Sequence, residues 1–181
     1  MINEIENCTN CGLSAGCKQP IEGEGNPKAK VMVVGEAPGK SEDQHGRSFI
    51  GKSGKLLNEI LEEVGLGREE VYITNIVKCR PPGNRNPEAE EVDSCFPHLR
   101  TQIELIQPRV IIALGAFAAR VLTDKEESIS KLRGKAYGFS DFVVVPTFHP
   151  AYILRNRNKR DLLLNDIKFA KKVLDYDGGL L

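Results

Sequence analysis

The sequence predicts an α/β fold: a three-layer sandwich in which a central, largely parallel four-stranded sheet is flanked by helices. Two observations carry that expectation. Four short runs rich in Val and Ile, KVMVVG (30–35), VYITNIV (71–77), RVIIALG (109–115) and FVVVPTF (142–148), have the length and composition of strands buried on both faces. Between and after them lie segments whose apolar residues recur at helical spacing. The order βαβαβαβα closes as a parallel sheet covered on both sides.

Each element has its own local reason. The first strand stops at Gly35 and opens into the loop GEAPG. SGKLLNEILEEVGL (53–66) predicts a helix capped by Ser53, with Leu56, Leu57, Ile60, Leu61 and Val64 on one face. After the second strand, Asn86 reads as an N-cap and Pro87 as the first helical residue of a segment running into HLRTQIELI. The third strand leads through Gly115 into the helix AFAARVL, and the fourth is followed by the amphipathic segment RDLLLNDIKFAKKVLD.

The chain has 181 residues, 40% of them hydrophobic, enough for one sizeable core, so residues 1–181 are expected to form a single domain. MINEIENC contains no apolar signal region, and no stretch approaches the roughly 20 apolar residues that span a bilayer; a soluble, cytoplasmic protein with no membrane partner is expected. Lys plus Arg total 25 and Asp plus Glu total 25, so net charge neither favours nor excludes a nucleic-acid partner.

Five cysteines, Cys8, Cys11, Cys17, Cys79 and Cys95, argue against a disulfide framework in a reducing compartment. The C-x2-C pair Cys8 and Cys11 precedes the first strand, which disfavours thioredoxin-like redox chemistry. Zinc ribbons repeat a tight pair, whereas Cys79 and Cys95 are well separated. One pair plus two single cysteines fits an iron–sulfur cluster at least as well, with His98 as a ligand in a rival zinc scheme and Cys17 as a spare thiol.

In open α/β sheets, ligands bind beyond the carboxyl ends of the strands. The GEAPG loop, Thr74 and Asn75, Gly115, and His149 with Pro150 all belong to that rim. A competing pattern lies nearby: GRSFIGKS, from Gly46 to Ser53, matches the phosphate-binding G-x4-G-K-[ST] sequence. A phosphate loop leaves its strand directly, and a later strand ends in an Asp that holds magnesium. Neither condition is met, although the helix start at Lys52 and Ser53 could still hold a phosphate.

GEAPGKSED (35–43), RSFIGKSG (47–54), TNIVKCRPP (74–82) and HPAYIL (149–154), together with Cys8, Cys11, Cys79 and Cys95, resemble the family-4, iron–sulfur uracil-DNA glycosylases. The resemblance runs almost the full length of the chain. It implies hydrolysis of the N-glycosidic bond of deoxyuridine in single- or double-stranded DNA after base flipping. It further implies that Phe49 stacks on uracil, Asn75 reads its edge, His149 donates to its O2, and Gly35 and Ala37 shape the pocket. Related enzymes carry Asp or Asn where this chain has Ala37, so Glu42 is expected near the attacking water and Glu36 in support. Lys52, Ser53, Lys78, Arg80, Arg85 and Arg155 are expected on DNA, with Ile153 and Leu154 as the wedge that fills the gap left by the base. Cys8, Cys11, Cys79 and Cys95 are expected to hold a 4Fe-4S cluster. A prokaryotic, nucleoid-associated monomer, with a sliding clamp or replication protein as candidate partner, completes the expectation. The competing functions are a nucleotide hydrolase built on Gly46 to Ser53 and a DNA-binding iron–sulfur module without catalysis. A further variant, covalently linked to its abasic product, carries a basic insertion that this sequence lacks.

Overall fold

The computed structural model describes residues 5–139 and 141–176. One six-stranded sheet has the order β1-β3-β2-β4-β6-β5. The four expected strands are its parallel centre: β2 (Val31–Gly35), β3 (Val71–Asn75), β4 (Val110–Leu114) and β6 (Val143–Thr147). The count of four is corrected to six by two-residue antiparallel edges, β1 (Glu24–Gly25) on β3 and β5 (Tyr137–Gly138) on β6. Two residues cannot establish an alternating pattern, so these edges left no signal in the sequence.

Alternation along the strands divides the core. Val31, Val33, Ile73, Ile112 and Val145 pack with Leu57, Ile60 and Leu61 of α2 (Lys52–Val64) and with Leu163 and Ile167 of α7 (Arg160–Asp175). Met32, Val34, Ile111 and Val144 face the other way, toward Leu99 of α3 (Ala89–Ile106) and Ala118 of α4 (Gly115–Thr123). Each strand therefore needs apolar residues at every position, which explains the unbroken Val and Ile runs.

Two helix starts differ from expectation. Helix α2 begins at Lys52 with Gly51 as N-cap, which places Ser53 inside the first turn instead of at the cap. Helix α3 begins at Ala89 with Glu88 as N-cap, because the Glu91 carboxylate reaches back to the Glu88 N–H at 2.8 Å. Asn86 and Pro87 therefore precede the helix. Three short helices escaped the periodicity: α1 (Lys40–His45), α5 (Ile129–Leu132) and α6 (Pro150–Arg155), the last formed by the HPAYIL segment. Among the described residues no helix is long and apolar enough to cross a membrane.

Candidate active site

A cavity of about 510 Å³ opens beyond the carboxyl ends of β2, β3 and β6. It is within the range of small-molecule sites. Glu36, Ala37 and Glu42 line it from the β2 loop and α1, Phe49 from the loop before α2, Lys52 from the start of α2, Asn75 from β3, His149 from the N-cap of α6, and Tyr152 and Arg155 from α6.

Phe49 adopts φ +51°, a left-handed conformation that costs energy for an aromatic residue unless its surroundings enforce it. They do so from both sides. Glu42 Oε1 accepts the N–H groups of Ile50 at 3.0 Å and Gly51 at 2.8 Å. Arg68 donates to the carbonyls of Ser48 and, at 3.4 Å, Phe49, while also binding Glu24 and Asn58. Gly54 lets α2 lie directly against this loop, since a Cβ there would overlap the Phe49 carbonyl oxygen at 1.7 Å. Gly35 is equally constrained: its Cβ would stand 2.5 Å from both Asn75 Oδ1 and Phe49 Cζ. The same contacts rule out a phosphate loop. Helix α1 intervenes between β2 and Gly46, and the amides a phosphate would need already serve Glu42.

His149 caps α6, its Nδ1 accepting the Ala151 N–H at 3.1 Å. In the neutral ring that bond places the proton on Nε2. Burial first, and the charge of Arg155 second, push its pKa down to about 4, with Glu42 opposing. The ring centroid lies 5.9 Å from that of Phe49, tilted by 34°. Within this frame Asn75 is 1% exposed, and its Oδ1 is buried without a hydrogen-bond partner. An unpaired buried amide oxygen is costly and calls for a ligand.

The two glutamates differ. Glu42 has one oxygen committed to the Phe49 loop, whereas no hydrogen bond to the Glu36 carboxylate occurs among the described residues. Burial raises the pKa of Glu36 above the ordinary carboxylate range.

The expected DNA contacts separate. Lys52 and Arg155 are exposed and line the cavity, and Ser53 lines it half-buried. Arg85 also lines it, but its guanidinium grips Glu91 at 2.6 and 2.8 Å; Arg80 donates to Asn84 at 2.8 Å. Lys78 is corrected: it is 1% exposed and unable to reach a phosphate, because its side chain folds back into the interior. Ile153 is corrected likewise. At 1% exposure it belongs to the core, since α6 turns it inward and leaves Leu154 half-buried. Arg68 and Tyr152 were missed. Arg68 lies in a charged turn and Tyr152 in an apolar segment, and neither setting signals a site.

The cysteines gather beside the Lys78 segment. Cys8, Cys11, Cys79 and Cys95 line one small cavity with Leu13, Pro20 and Val77. The Lys78 N–H donates to Cys95 Sγ at 3.3 Å, and Cys17 Sγ lies 2.8 Å from Cys79 Sγ. Cys8 Sγ is 3.2 Å from His98 Nε2. Burial, before any neighbouring group, raises the pKa of Cys79 and Cys95. Among the described residues no three Cys, His, Asp or Glu groups converge closely enough for a single ion. Four thiols nevertheless line one cavity, and the Lys78 amide is directed at the Cys95 sulfur.

Comparison with known proteins agrees with this geometry. The model of the uracil DNA glycosylase superfamily matches residues 22–174. A type-4 uracil-DNA glycosylase of Sulfurisphaera tokodaii is 44% identical over 94% of this chain and 81% of its own length. One from Thermotoga maritima is 46% identical over 96% and 93%, and one from Saccharolobus solfataricus 44% over 95% and 84%. A cavity at the sheet's carboxyl rim, an unpaired Asn amide facing an aromatic ring, and similarity over nearly the whole length converge: the chain belongs to the uracil DNA glycosylase superfamily.

Proposed function

We infer that the chain excises uracil from DNA, hydrolysing the N-glycosidic bond of a flipped deoxyuridine and leaving an abasic site. The observation that carries this reading is Asn75, whose Oδ1 is buried and unpartnered and which lines the same cavity as Phe49 and His149. An amide offers an acceptor and a donor side by side, the complement of uracil N3–H and O4. Phe49 stacks on the base, and Gly35 leaves both groups the space they occupy.

In the reaction the C1′–N1 bond breaks with its electron pair passing to uracil, where charge collects on O2. His149 Nε2–H donates to that oxygen, and its bond strengthens as the charge develops. The water oxygen bonds to C1′ and its proton passes to a carboxylate. We assign that role to Glu36, whose carboxylate has no hydrogen-bond partner among the described residues, and assign Glu42 to the Phe49 loop it already holds. Lys52, Ser53 and Arg155 receive the phosphates, Arg80 and Arg85 on the neighbouring loop being held by Asn84 and Glu91, and Leu154 is the remaining candidate wedge. Cys8, Cys11, Cys79 and Cys95 would hold a 4Fe-4S cluster that cross-links the N-terminal segment to the β3–α3 loop; a hydrolysis transfers no electrons, so its role is structural.

The test is release of uracil from a labelled oligonucleotide carrying a single U, in EDTA, beside His149→Ala. Alkali-dependent cleavage at the U, weakened by the substitution, is expected. Iron-loaded protein that leaves both single- and double-stranded substrates intact would instead favour a DNA-binding module.

A further inference from the structure

We propose that Lys78, buried beneath the cavity, is a positioning residue that sets the orientation of Asn75 toward the base and ties it mechanically to the cysteine cavity. This rests on the reading of Asn75 as the uracil-contacting residue. An ammonium has three protons, and those of Lys78 have three acceptors at 2.8 Å each: Thr74 Oγ1, Gln102 Oε1 and the main-chain carbonyl of Asn75 itself. The acceptors are in turn fixed. The Thr74 hydroxyl donates to the Glu22 carbonyl at 2.6 Å, and Gln102 Nε2 donates to the same carbonyl at 2.8 Å. Thr74 and Gln102 are both fully buried.

Stability does not account for this arrangement. An apolar side chain of similar volume would fill the same space without desolvating an amine, so packing alone does not call for a lysine here. What the lysine achieves is local. Strand β3 ends at Asn75, and beyond it the Ile76 and Val77 amides run along the carbonyls of Gly35 at 2.9 Å and Glu36 at 3.1 Å. Holding the Asn75 carbonyl fixes the peptide plane that follows it, and with it the direction of the Asn75 side chain against Gly35. The backbone of the same lysine binds Cys95 Sγ through its N–H and the Ile21 N–H through its carbonyl at 2.7 Å. One residue thus joins the base-facing strand end to the thiol-lined cavity. A misplacement near 1 Å is worth about 100-fold in rate.

The experiment uses the full-length, iron-loaded protein and compares wild type, Lys78→Met, Thr74→Val and Asn75→Ala. The readouts are inhibition by free uracil, single-turnover cleavage of uracil DNA, affinity for a duplex with a tetrahydrofuran abasic analogue, and iron per chain. Lys78→Met is expected to weaken inhibition by uracil about tenfold and slow cleavage about 100-fold, with abasic-site affinity and iron unchanged. Thr74→Val, which removes one acceptor, is expected to move the same readouts by less, and decides the matter if Lys78→Met does not fold. Folded variants with wild-type uracil inhibition and rate, or equal losses in uracil and abasic-site binding, overturn the proposal. If Asn75→Ala weakens uracil inhibition while Lys78→Met does not, the fault lies with Lys78 alone; if Asn75→Ala changes nothing, the base-reading role falls with it.

Discussion

The backbone N–H of Ala151 donates to Nδ1 of His149 at 3.1 Å, so the helix that follows the histidine fixes its tautomer. Burial and Arg155 hold the ring neutral down to about pH 4. The single-turnover rate should therefore show no inflection from this residue near 6.5, the ordinary histidine value. His149→Ala should lower the rate by about 10² to 10³, the usual effect of removing one oxyanion donor. The linkage has a definite sign. Between about 4 and 6.5 the unfolded chain binds a proton at this position and the native chain does not, so this contribution to stability rises with pH and is complete above 6.5. Denaturant titrations across that range should show a shallower slope in His149→Ala; an unchanged slope would contradict the depressed value.

The acid limb of the rate profile should belong to Glu36. Its carboxyl is raised by burial, so the ionised form needed to accept a proton from water is lost as pH falls through that raised value. Glu36→Gln should remove the limb and cut the rate by about 10² to 10⁴. Glu42→Gln preserves a carbonyl acceptor for Ile50 and Gly51 and should cost much less. A larger loss at Glu42 than at Glu36 would reverse the two roles.

The parallel centre of the sheet was legible because burial on both faces forces unbroken Val and Ile runs, and the cavity was legible because ligands gather where such strands end. Phe49, Asn75 and His149 were named through short motifs that resemble a known family's, and all three line the cavity. Lys78 and Ile153 were misread for one physical reason: a sequence shows charge and hydropathy but not which way a short segment turns. Lys78 folds back onto Asn75, and α6 rotates Ile153 into the core. Arg68 left no trace, because the loop it holds is bound through main-chain carbonyls, which every residue carries, and its side-chain partners Glu24 and Asn58 lie 44 and 10 residues away.

Cys95 is buried, receives the Lys78 amide and shares its cavity with Cys8, Cys11 and Cys79. Cys95→Ser should lose iron, visible absorbance and thermal stability together. Cys17 does not line that cavity, although it touches Cys79, so Cys17→Ser should keep the iron. Loss of iron in the Cys17 variant would make it a ligand.

Salt dependence would separate the exposed cations proposed to meet phosphates from those engaged within the protein. Arg155→Ala or Lys52→Ala should each reduce the slope of log K against log salt by about 0.9 on duplex DNA. Arg85 is held bidentately by Glu91, and its removal should change the slope less. Equal effects at Arg85 and Arg155 would mean that the Glu91 pair opens on binding.

The Phe49 loop supplies the last prediction. Arg68 holds the Ser48 and Phe49 carbonyls from one side while Glu42 holds the Ile50 and Gly51 amides from the other, and together they keep Phe49 at φ +51°. Arg68→Met leaves Glu24 with Arg47 as its remaining ion-pair partner and releases both carbonyls. A loss of about 1–3 kcal/mol is expected from the charged hydrogen bonds, with a weaker response to free uracil. Lysine carries the charge but not the fork that reaches two carbonyls and a carboxylate at once, so Arg68→Lys should recover little. Gly54→Ala attacks the same loop from beneath, where the added methyl overlaps the Phe49 carbonyl. Thermal melts paired with uracil inhibition would distinguish the outcomes: a melt that falls while uracil inhibition stays at the wild-type level would show that Phe49 keeps its conformation without the guanidinium.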